Sequence, residues 1–513
     1  MNWELGIGNW ELGAAGGFAA DLSSGGPAGK AVRGVRGKSA NREIGVPRGV
    51  PGAGAWFLAV LVFCVLLGGC GALGRQGAEV LDPLGREMFA LPGESTLRMD
   101  SVTVHVFENG LTMLHEERRS NATVALTAVV GGGSAMEPDD KAGLTGLMMS
   151  SLPKGTSERS ADEIAEHLAG LGASLQPGSS MDYSLLSLHC LAKDLGEALP
   201  VFADVLLNPN FPVDEVEIER RKLLAAIRMN EDYTPAVAMR RFRQELFGSH
   251  PYGRDPMGTA ETVGALETWD LYTQHRGLFV PSNMVVGVVG NISFAEARDL
   301  VRRNLGAPGP ERHSVYQVDK VIAPGPSRAE VPRPSTQGFV VMGHLTAPVG
   351  DEDSAAVQVA ATILGSGMSS RLFRELRDRE GLAYAVAAAN QSYRRKGMLA
   401  AYIGTAGENL ERAEERLWGQ IRLLRETPVT QEELERAKNS LRGSYLRSKE
   451  RNARRARMLA VNYQMELGPD YMDRLQEEIQ AVTSREVMRV ANKYFLEPTT
   501  VIIRPQAAAA PAE

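Results

Sequence analysis

The chain has 513 residues, which is enough for two or more domains with complete cores. Hydrophobic residues make up 43% of it and charged residues 23%, as in ordinary globular proteins, and the formal net charge of −6 gives no reason to expect a nucleic-acid partner. Three cysteines are too few for a disulfide framework. Cys190 alone lies beyond the N-terminal region, and we expect it to pack as a small apolar residue.

Residues 1–70 have the composition of a targeting region. The first 54 residues are rich in Gly, Ala, Ser and Arg and could not build a core. An apolar run, residues 55–67, follows several positive charges; it is short for a membrane span but fits the apolar part of a signal peptide. The run ends in Leu-Gly-Gly-Cys, which resembles a bacterial lipobox and predicts lipidation of Cys70. A simple signal peptide or an uncleaved anchor is the alternative.

A tether, residues 71–97, and a first domain, residues 98–309, are predicted next. The domain opens with a hairpin around Asn109-Gly110, a strong turn signal. A helix capped by Ser160 or by Asp162 is also predicted. The other predicted elements are, in chain order, the strand ATVALTAVVGGGS, the helix KAGLTGLMMSSL, the strand MDYSLLSLHCLA, the helix VDEVEIERRKLLAAIRMNED and the buried strand PSNMVVGVVGNIS.

Residues 310–335 are predicted to be a linker, because they carry five prolines and no apolar period. A second domain, residues 336–506, precedes a tail at 507–513. The order of strands and helices is the same in both halves, which suggests a duplicated unit. We therefore predict an α+β fold of two homologous α/β-sandwich repeats, each a mixed sheet covered by helices.

The segment AGLTGLMMSSLPKGT, residues 142–156, resembles the zinc-site helix of the pitrilysin/insulinase family of metallopeptidases, which reads close to A-G-L-A-H-F-L-E-H-M-x-F-K-G-T. Aligned without a gap, the two His of that motif fall on Gly146 and Ser150, and its Glu falls on Met149. The third ligand of the family is a Glu that ends an E-R-x-x-x-x-x-E pattern. In this chain the pattern starts at Glu219 and ends on Ala226.

The missing side chains carry the chemistry of such a site. Two His four apart on a helix can share one Zn²⁺, and a Glu beside the second can act as general base on the metal-bound water. Gly, Met, Ser and Ala supply none of these groups, so we predict that this chain binds no zinc. No two of its eight His lie three to five residues apart. The E-x-x-E-H sequence that ends at His167 is interpreted as the solvated face of a helix.

A second motif, LGSGMSSRLFRELRDREGLAYAV, lies in the second domain and matches S-R-L-x-x-x-L-R-x-x-x-G-L-x-Y, a pattern specific to the same family. The resemblance implies that Arg377 and Tyr384 close over the scissile bond and donate hydrogen bonds to the developing oxyanion. Alternatively, Arg377 forms a surface ion pair with Asp378 or Glu380, and Tyr384 is a half-buried strand residue. The HPYG segment at His250 also resembles the family, and we interpret it as fixing a loop.

The resemblance implies a chain that keeps one half of a bipartite active site. It predicts half of a clam-shell: a zinc-lacking subunit that pairs with a zinc-bearing homologue and encloses an extended peptide. The lipobox-like sequence at Cys70 separately predicts that this complex is lipid-anchored in the bacterial cell envelope. No cofactor is expected on this chain, and Zn²⁺ is expected on the partner. A catalytically inert scaffold subunit and a stand-alone peptidase with a new site are the alternatives.

Seven basic residues between 442 and 457 lie on a predicted helix. This run could meet anionic lipid, an acidic partner or the carboxylates of a bound peptide. The alternative is a solvated face whose charges pair with Glu433, Glu435 and Glu450.

Overall fold

The computed structural model describes residues 94–307, 320–322 and 324–506, together with the backbone of two short antiparallel strands, β1 (Val80–Leu81) and β2 (Glu87–Met88). The predicted signal region, Cys70 and the predicted tail at 507–513 lie outside the described residues. Within the described part of the chain, no helix is long and apolar enough to cross a membrane.

The first repeat is built on a seven-stranded sheet in the order β3-β4-β5-β9-β6-β8-β7, in which only β5 and β9 are parallel neighbours. Its strands are β3 (Ser95–Met99), β4 (Val102–Val106), β5 (Thr112–Glu117), β6 (Thr123–Gly131), β7 (Ser174–Ser179), β8 (Tyr183–Leu191) and β9 (Met284–Gly290). The predicted hairpin is confirmed: Gly110 takes a φ of 84°, and the Asn109 side chain accepts a hydrogen bond from the Leu111 N–H.

The helices of the first repeat are α1 (Leu144–Ser151), α2 (Ala161–Gly170), α3 (Leu195–Leu207), α4 (Val213–Asp232), α5 (Thr234–Phe247), α6 (Ala260–Ala265), α7 (Thr268–Leu278) and α8 (Phe294–Leu305). Three of them, α1, α2 and α4, correspond to predicted helices, and the repeat contains further helices that were not predicted. Ser160, and not Asp162, caps α2, because its hydroxyl accepts from the Glu163 N–H while the Glu163 carboxylate accepts from the Ser160 N–H.

The second repeat is built on a five-stranded sheet in the order β10-β14-β11-β13-β12, in which only β10 and β14 are parallel. Its strands are β10 (Arg328–Pro334), β11 (Gln337–Thr346), β12 (Ala385–Ser392), β13 (Gly397–Ala406) and β14 (Thr499–Gln506). Its helices are α9 (Ser354–Gly365), a π-helix (Phe373–Arg379), α10 (Leu410–Glu426), α11 (Gln431–Glu450), α12 (Asn452–Gln464), α13 (Tyr471–Ala481) and α14 (Ser484–Tyr494). The predicted α+β fold with two helix-covered mixed sheets is confirmed.

Four strands fall where the sequence predicted irregular chain, among them the two short strands β1 and β2 of the predicted tether. Strand β10 lies inside the predicted linker, and β3 begins inside the predicted tether. The two prolines of β10 are tolerated because β10 is the edge strand of its sheet and pairs only with β14. Its inward side chains are small or partly buried, so it lacks the strong apolar alternation that marks a strand.

One helix of each repeat packs against the sheet of the other repeat. One face of the first sheet packs against the helices of its own repeat, and its other face is covered by Ala456, Leu459 and Ala460 of α12. One face of the second sheet is likewise covered by Phe242 and Leu246 of α5 from the first repeat. Close packing depends on a missing side chain at Gly287 of β9, since a Cβ there would clash with the Ala456 carbonyl oxygen. The two repeats therefore share their hydrophobic cores.

Candidate functional site

Helix α1 is fixed at its start by a buried carboxylate. Glu137 accepts hydrogen bonds from the Gly143 N–H at 2.9 Å and the Thr145 N–H at 2.6 Å, two donors at the helix N-terminus. Burial raises the pKa of Glu137 to about 7, although these hydrogen bonds favour the ionised form. Gly143 takes a φ of 95°, a conformation that favours glycine. The start of α1 is therefore held by a buried carboxylate and a glycine with positive φ.

The positions that would carry metal ligands are occupied by side chains with other surroundings. Met149 is 2% exposed and packs in the core of the first repeat. The Ser150 hydroxyl donates to the Leu147 carbonyl oxygen at 3.0 Å, within its own helix. A Cβ at Gly146 would meet only the Pro256 carbonyl oxygen, at 4.0 Å, so no close packing excludes a Cβ at the position of the first His. Ala226 packs against a small apolar cluster beside α4.

These residues do not fit a zinc ion. Two of the four positions have no polar atom in the side chain, the thioether of Met149 is turned into the core, and the one hydroxyl is already engaged. In the described part of the chain, no group of three or more His, Cys, Asp or Glu side chains could hold a metal ion.

The frame around the lost site is stabilised by an ion pair that sequence reasoning missed. The buried Glu219 carboxylate of α4 lies 2.8 Å from the Lys222 ammonium and 3.3 Å from that of Lys154, which follows α1. Lys154 lies in the motif at residues 142–156, and Glu219 begins the E-R pattern. Their places in these two motifs could have suggested that they lie close together. The pair ties α4 to the end of α1 although neither helix carries a ligand.

Arg377 lies on the π-helix with its guanidinium over the Phe373 ring, 5.0 Å from the ring centroid. The side chain is exposed, and among the described residues it has no carboxylate partner. The alternative pairing with Glu380 is wrong, because that carboxylate pairs with Arg412 and Arg416 of α10. π-Helical turns are rare and frequently occur at functional sites. Arg377 is therefore positioned by a ring and left available for hydrogen bonding.

Tyr384 stands just before β12 and is 44% exposed. Its N–H donates to the Gly404 carbonyl oxygen at 3.0 Å, and its ring lies against Gly404 of β13 so closely that a Cβ there would clash with the ring. Burial raises the pKa of the phenol, and nearby Tyr233 raises it further. The phenol thus stays protonated and can donate a hydrogen bond at neutral and moderately alkaline pH.

Tyr233 is a residue of the site that sequence reasoning missed. It is 60% exposed, sits at the break between α4 and α5 of the first repeat, and also raises the pKa of Tyr402 on β13. Tyr402 in turn stacks on Phe339, with ring centroids 5.4 Å apart. Tyr233 was missed because the sequence shows an exposed aromatic residue at the end of a predicted helix but does not show which strand it lies near. The structure brings it to the Tyr384 side of the second repeat.

The vacant metal-ligand positions lie on different secondary-structure elements from Arg377 and Tyr384. In the described ranges, no hydrogen bond or ion pair joins Arg377 or Tyr384 to the vacant metal-ligand positions. Ala226 and Tyr233 are seven residues apart, so they lie about 10 Å apart along the axis of α4.

The remaining predicted residues have structural roles. His250 accepts a hydrogen bond from the Tyr252 N–H through Nδ1, and Tyr252 donates its hydroxyl to Asp182, which confirms that HPYG fixes a loop. Cys190 is buried in the core, and burial raises the pKa of its thiol to about 11, so it packs as predicted.

Comparisons with known proteins agree on one family. Residues 112–260 match the family described as insulinase (peptidase family M16), and residues 267–441 match the peptidase M16 inactive domain. A protein named an uncharacterized zinc protease from Mycobacterium leprae is 31% identical over 344 residues, which are 66% of this chain and 76% of that protein. A Bacillus subtilis protein of the same description is 27% identical over 76% of this chain and 95% of its own length.

Solved structures share the fold. A peptidase M16 inactive domain from Pseudomonas fluorescens superposes with a TM-score of 0.75 at 24% identity, covering 80% of this chain and all of that one. A protease from Helicobacter pylori superposes with a TM-score of 0.73 at 20% identity, covering 81% of this chain and all of that one.

Proposed function

Because this chain belongs to the insulinase (M16) family of peptidases, we propose that it is a zinc-lacking subunit of a metalloendopeptidase. It pairs with a zinc-bearing homologue and supplies Arg377 and Tyr384 to the peptide that is cleaved. The main support for the proposal is the contrast between the metal-site positions and the pair Arg377 and Tyr384. The four positions of the metal site hold no ligand, and Met149 has become part of the core, whereas Arg377 and Tyr384 are exposed and individually supported.

The proposed chemistry for this chain is hydrogen-bond donation. The attacking water would be activated on the partner, so this chain acts only on the carbonyl oxygen of the scissile bond. As that oxygen becomes an oxyanion, the guanidinium of Arg377 and the phenol of Tyr384 donate to it. A peptide in extended form can reach both by adding to an exposed sheet edge. Strands β7 and β12 are the edge strands on one side of each sheet.

We place this complex at the surface of a membrane of the bacterial cell envelope, with Cys70 as the lipidated residue. The support is the lipobox-like sequence alone, which lies outside the described residues.

The test is a measurement of zinc content and of peptide cleavage, with the full chain alone and mixed with a zinc-motif homologue encoded in the same genome. We expect no zinc and no cleavage alone, and cleavage that appears or rises on mixing. Arg377→Ala should abolish the rise. Arg374→Ala is the matched control, since Arg374 is an exposed arginine on the same π-helix.

Two results would contradict the proposal. Stoichiometric zinc with cleavage by the isolated chain would mean that a metal site exists elsewhere. Stable association that leaves cleavage unchanged would instead identify a structural scaffold subunit.

A further inference from the structure

The junction of α11 and α12 is strongly basic. Its sixteen consecutive residues, 442–457, carry seven cations against one carboxylate, that of Glu450. The preceding part of α11, residues 431–441, mixes three acids with two bases. The charge asymmetry is therefore confined to the junction and is not a property of the whole helix.

Among the described residues, two of the seven cations have a carboxylate partner. Arg455 is buried against Glu116, and Lys449 pairs with Asp473. In the described ranges the other five have no carboxylate partner; they are Arg442, Arg447, Arg451, Arg454 and Arg457. The acids predicted to neutralise them are engaged elsewhere, since Glu433 pairs with Arg371 and Glu435 with Lys438. The prediction of a face paired with these two glutamates is wrong.

The start of α12 places positive charge where a helix disfavours it. Arg451 is the N-cap and Arg454 lies in the first turn, which contains no acid. A cation at a helix N-terminus is destabilising by about 0.3–1 kcal/mol, because the N–H groups there carry partial positive charge. Helices α2, α8, α11 and α14 instead have a glutamate in the first turn. Stability of the isolated fold therefore does not account for these arginines.

An exposed apolar side chain lies on α11 beside one of these cations. Leu446 is 52% exposed and stands one turn after Arg442 on the same side of α11. Guanidinium groups bind phosphate oxygens in bidentate fashion, and a leucine beside them can enter the boundary between headgroups and acyl chains. An acidic protein would neutralise the arginines but would give no role to Leu446.

We infer that this junction surface, made by Arg442, Leu446, Arg451, Arg454 and Arg457, binds the anionic headgroups of a phospholipid bilayer. The inference goes beyond the proposed function and depends on neither Arg377 and Tyr384 nor lipidation of Cys70. It gives the chain a second, peripheral contact with a membrane surface.

The test uses the full chain with Cys70→Ser, so that no lipid is attached, and measures binding to vesicles. One set is phosphatidylcholine, and the other is an equal mixture of phosphatidylcholine and phosphatidylglycerol. The basic residues before the apolar run at 55–67 can also favour anionic vesicles, so the junction surface is isolated by comparing variants that all keep this region. We expect tighter binding to the anionic set, weakening as salt rises.

The triple variant Arg451→Gln, Arg454→Gln, Arg457→Gln should weaken binding to anionic vesicles about a hundredfold, from about 1 kcal/mol for each basic residue. The control triple is Arg228→Gln, Arg303→Gln, Arg485→Gln. It removes the same charge at three exposed arginines that have no carboxylate partner in the part of the chain that the structure describes. It should bind like the parent. Cleavage by the mixed peptidase complex without vesicles should be unchanged in both, which separates this inference from the proposed function.

Leu446→Ser distinguishes a bilayer from an acidic protein. It should weaken binding to anionic vesicles and leave binding to polyglutamate unchanged. Equal vesicle binding by the junction triple and the control triple would overturn the inference. The inference would also be overturned if the junction triple lost binding to polyglutamate but still bound anionic vesicles, because the partner would then be an acidic protein. Cooperative thermal unfolding confirms that each variant is folded, and for the junction triple it should occur at or above the parent's temperature.

Discussion

At the scale of single residues, the vacant metal positions could be predicted from the sequence, but their surroundings could not. A gap-free alignment is enough to identify Gly146 and Ser150. That Met149 is absorbed into the core, and that Tyr384 rests on Gly404, depends on long-range packing. Gly404 lies twenty residues after Tyr384 and carries no chemistry of its own, so no local pattern indicates it. Support of this kind becomes visible only in three dimensions.

The support of Tyr384 by Gly404 leads to a prediction. Gly404→Ala should push the phenol off β13 and lower cleavage by the mixed complex about tenfold or more, toward the level of Tyr384→Phe, because one hydrogen-bond donor is misplaced. The measurement is kcat of the complex. Gly419→Ala on α10 is the control, since a Cβ there meets nothing within 4 Å. Equal activity of the two variants would show that Gly404 does not position the phenol.

A buried histidine makes stability depend on pH. Burial lowers the pKa of His275 to about 4, from the value of about 6.5 that is usual for histidine, although Nε2 is 2.9 Å from the Leu206 carbonyl oxygen. Between these values the unfolded chain binds a proton that the folded chain does not, so stability is present above pH 6.5 and falls as the pH is lowered. When the pH is lowered from 7 to 5, the free energy of unfolding should fall by about 2 kcal/mol more in the parent than in His275→Gln.

Urea unfolding at the two pH values measures this difference. The raised pKa of Glu137 acts in the opposite direction, because the stability that this group contributes is lost as the pH rises toward 7. This contribution is the same in parent and variant, so it cancels when the two are compared. Parallel curves for the two proteins would mean that His275 is not the buried neutral group.

At the scale of elements, amphipathic helices and strong alternation were predictable, and edge strands were not. The hairpin at Asn109-Gly110 and the capped helix α2 follow from turn and capping chemistry. Strand β10 was missed because prolines and charged residues conceal an edge strand. The π-helix also has no sequence signature, yet it sets the spacing that places the Phe373 ring beneath Arg377.

That spacing predicts the effect of removing the ring. Phe373→Leu should lower kcat of the mixed complex by about two- to fivefold, because an exposed cation–π contact contributes about 0.5–1 kcal/mol. Phe373→Tyr keeps the aromatic face and should retain activity. If Leu and Tyr gave the same kcat, the ring would have no part in holding Arg377.

At the scale of the whole molecule, the exchange of α5 and α12 between the repeats was not predictable. Periodicity shows that a helix has an apolar face, but not which sheet that face covers. The exchange is reinforced by a buried ion pair between repeats: Arg455 of α12 lies 2.6 Å from Glu116 of β5, and both side chains are nearly inaccessible. Tyr252 and Asp182 add a second buried contact beside the Arg394 N–H.

Breaking that pair should be costly. Glu116→Gln leaves the Arg455 guanidinium buried without a charge partner and should reduce the free energy of unfolding by about 3–5 kcal/mol. The double variant Glu116→Leu, Arg455→Met should recover most of the loss, because neither charge remains buried. Chemical denaturation of both variants gives the comparison. A double variant no more stable than Glu116→Gln would show that packing, and not an unpaired charge, explains the loss.

The central claim is that this chain donates Arg377 to a reaction on a zinc site that it does not itself possess. Steady-state kinetics of the mixed complex with Arg377→Ala test it most directly. The account predicts a fall in kcat of about 10²–10³ with KM changed only a few-fold, because the guanidinium acts on the oxyanion rather than on the bound peptide. An unchanged kcat, with parent and variant equally active, would contradict it.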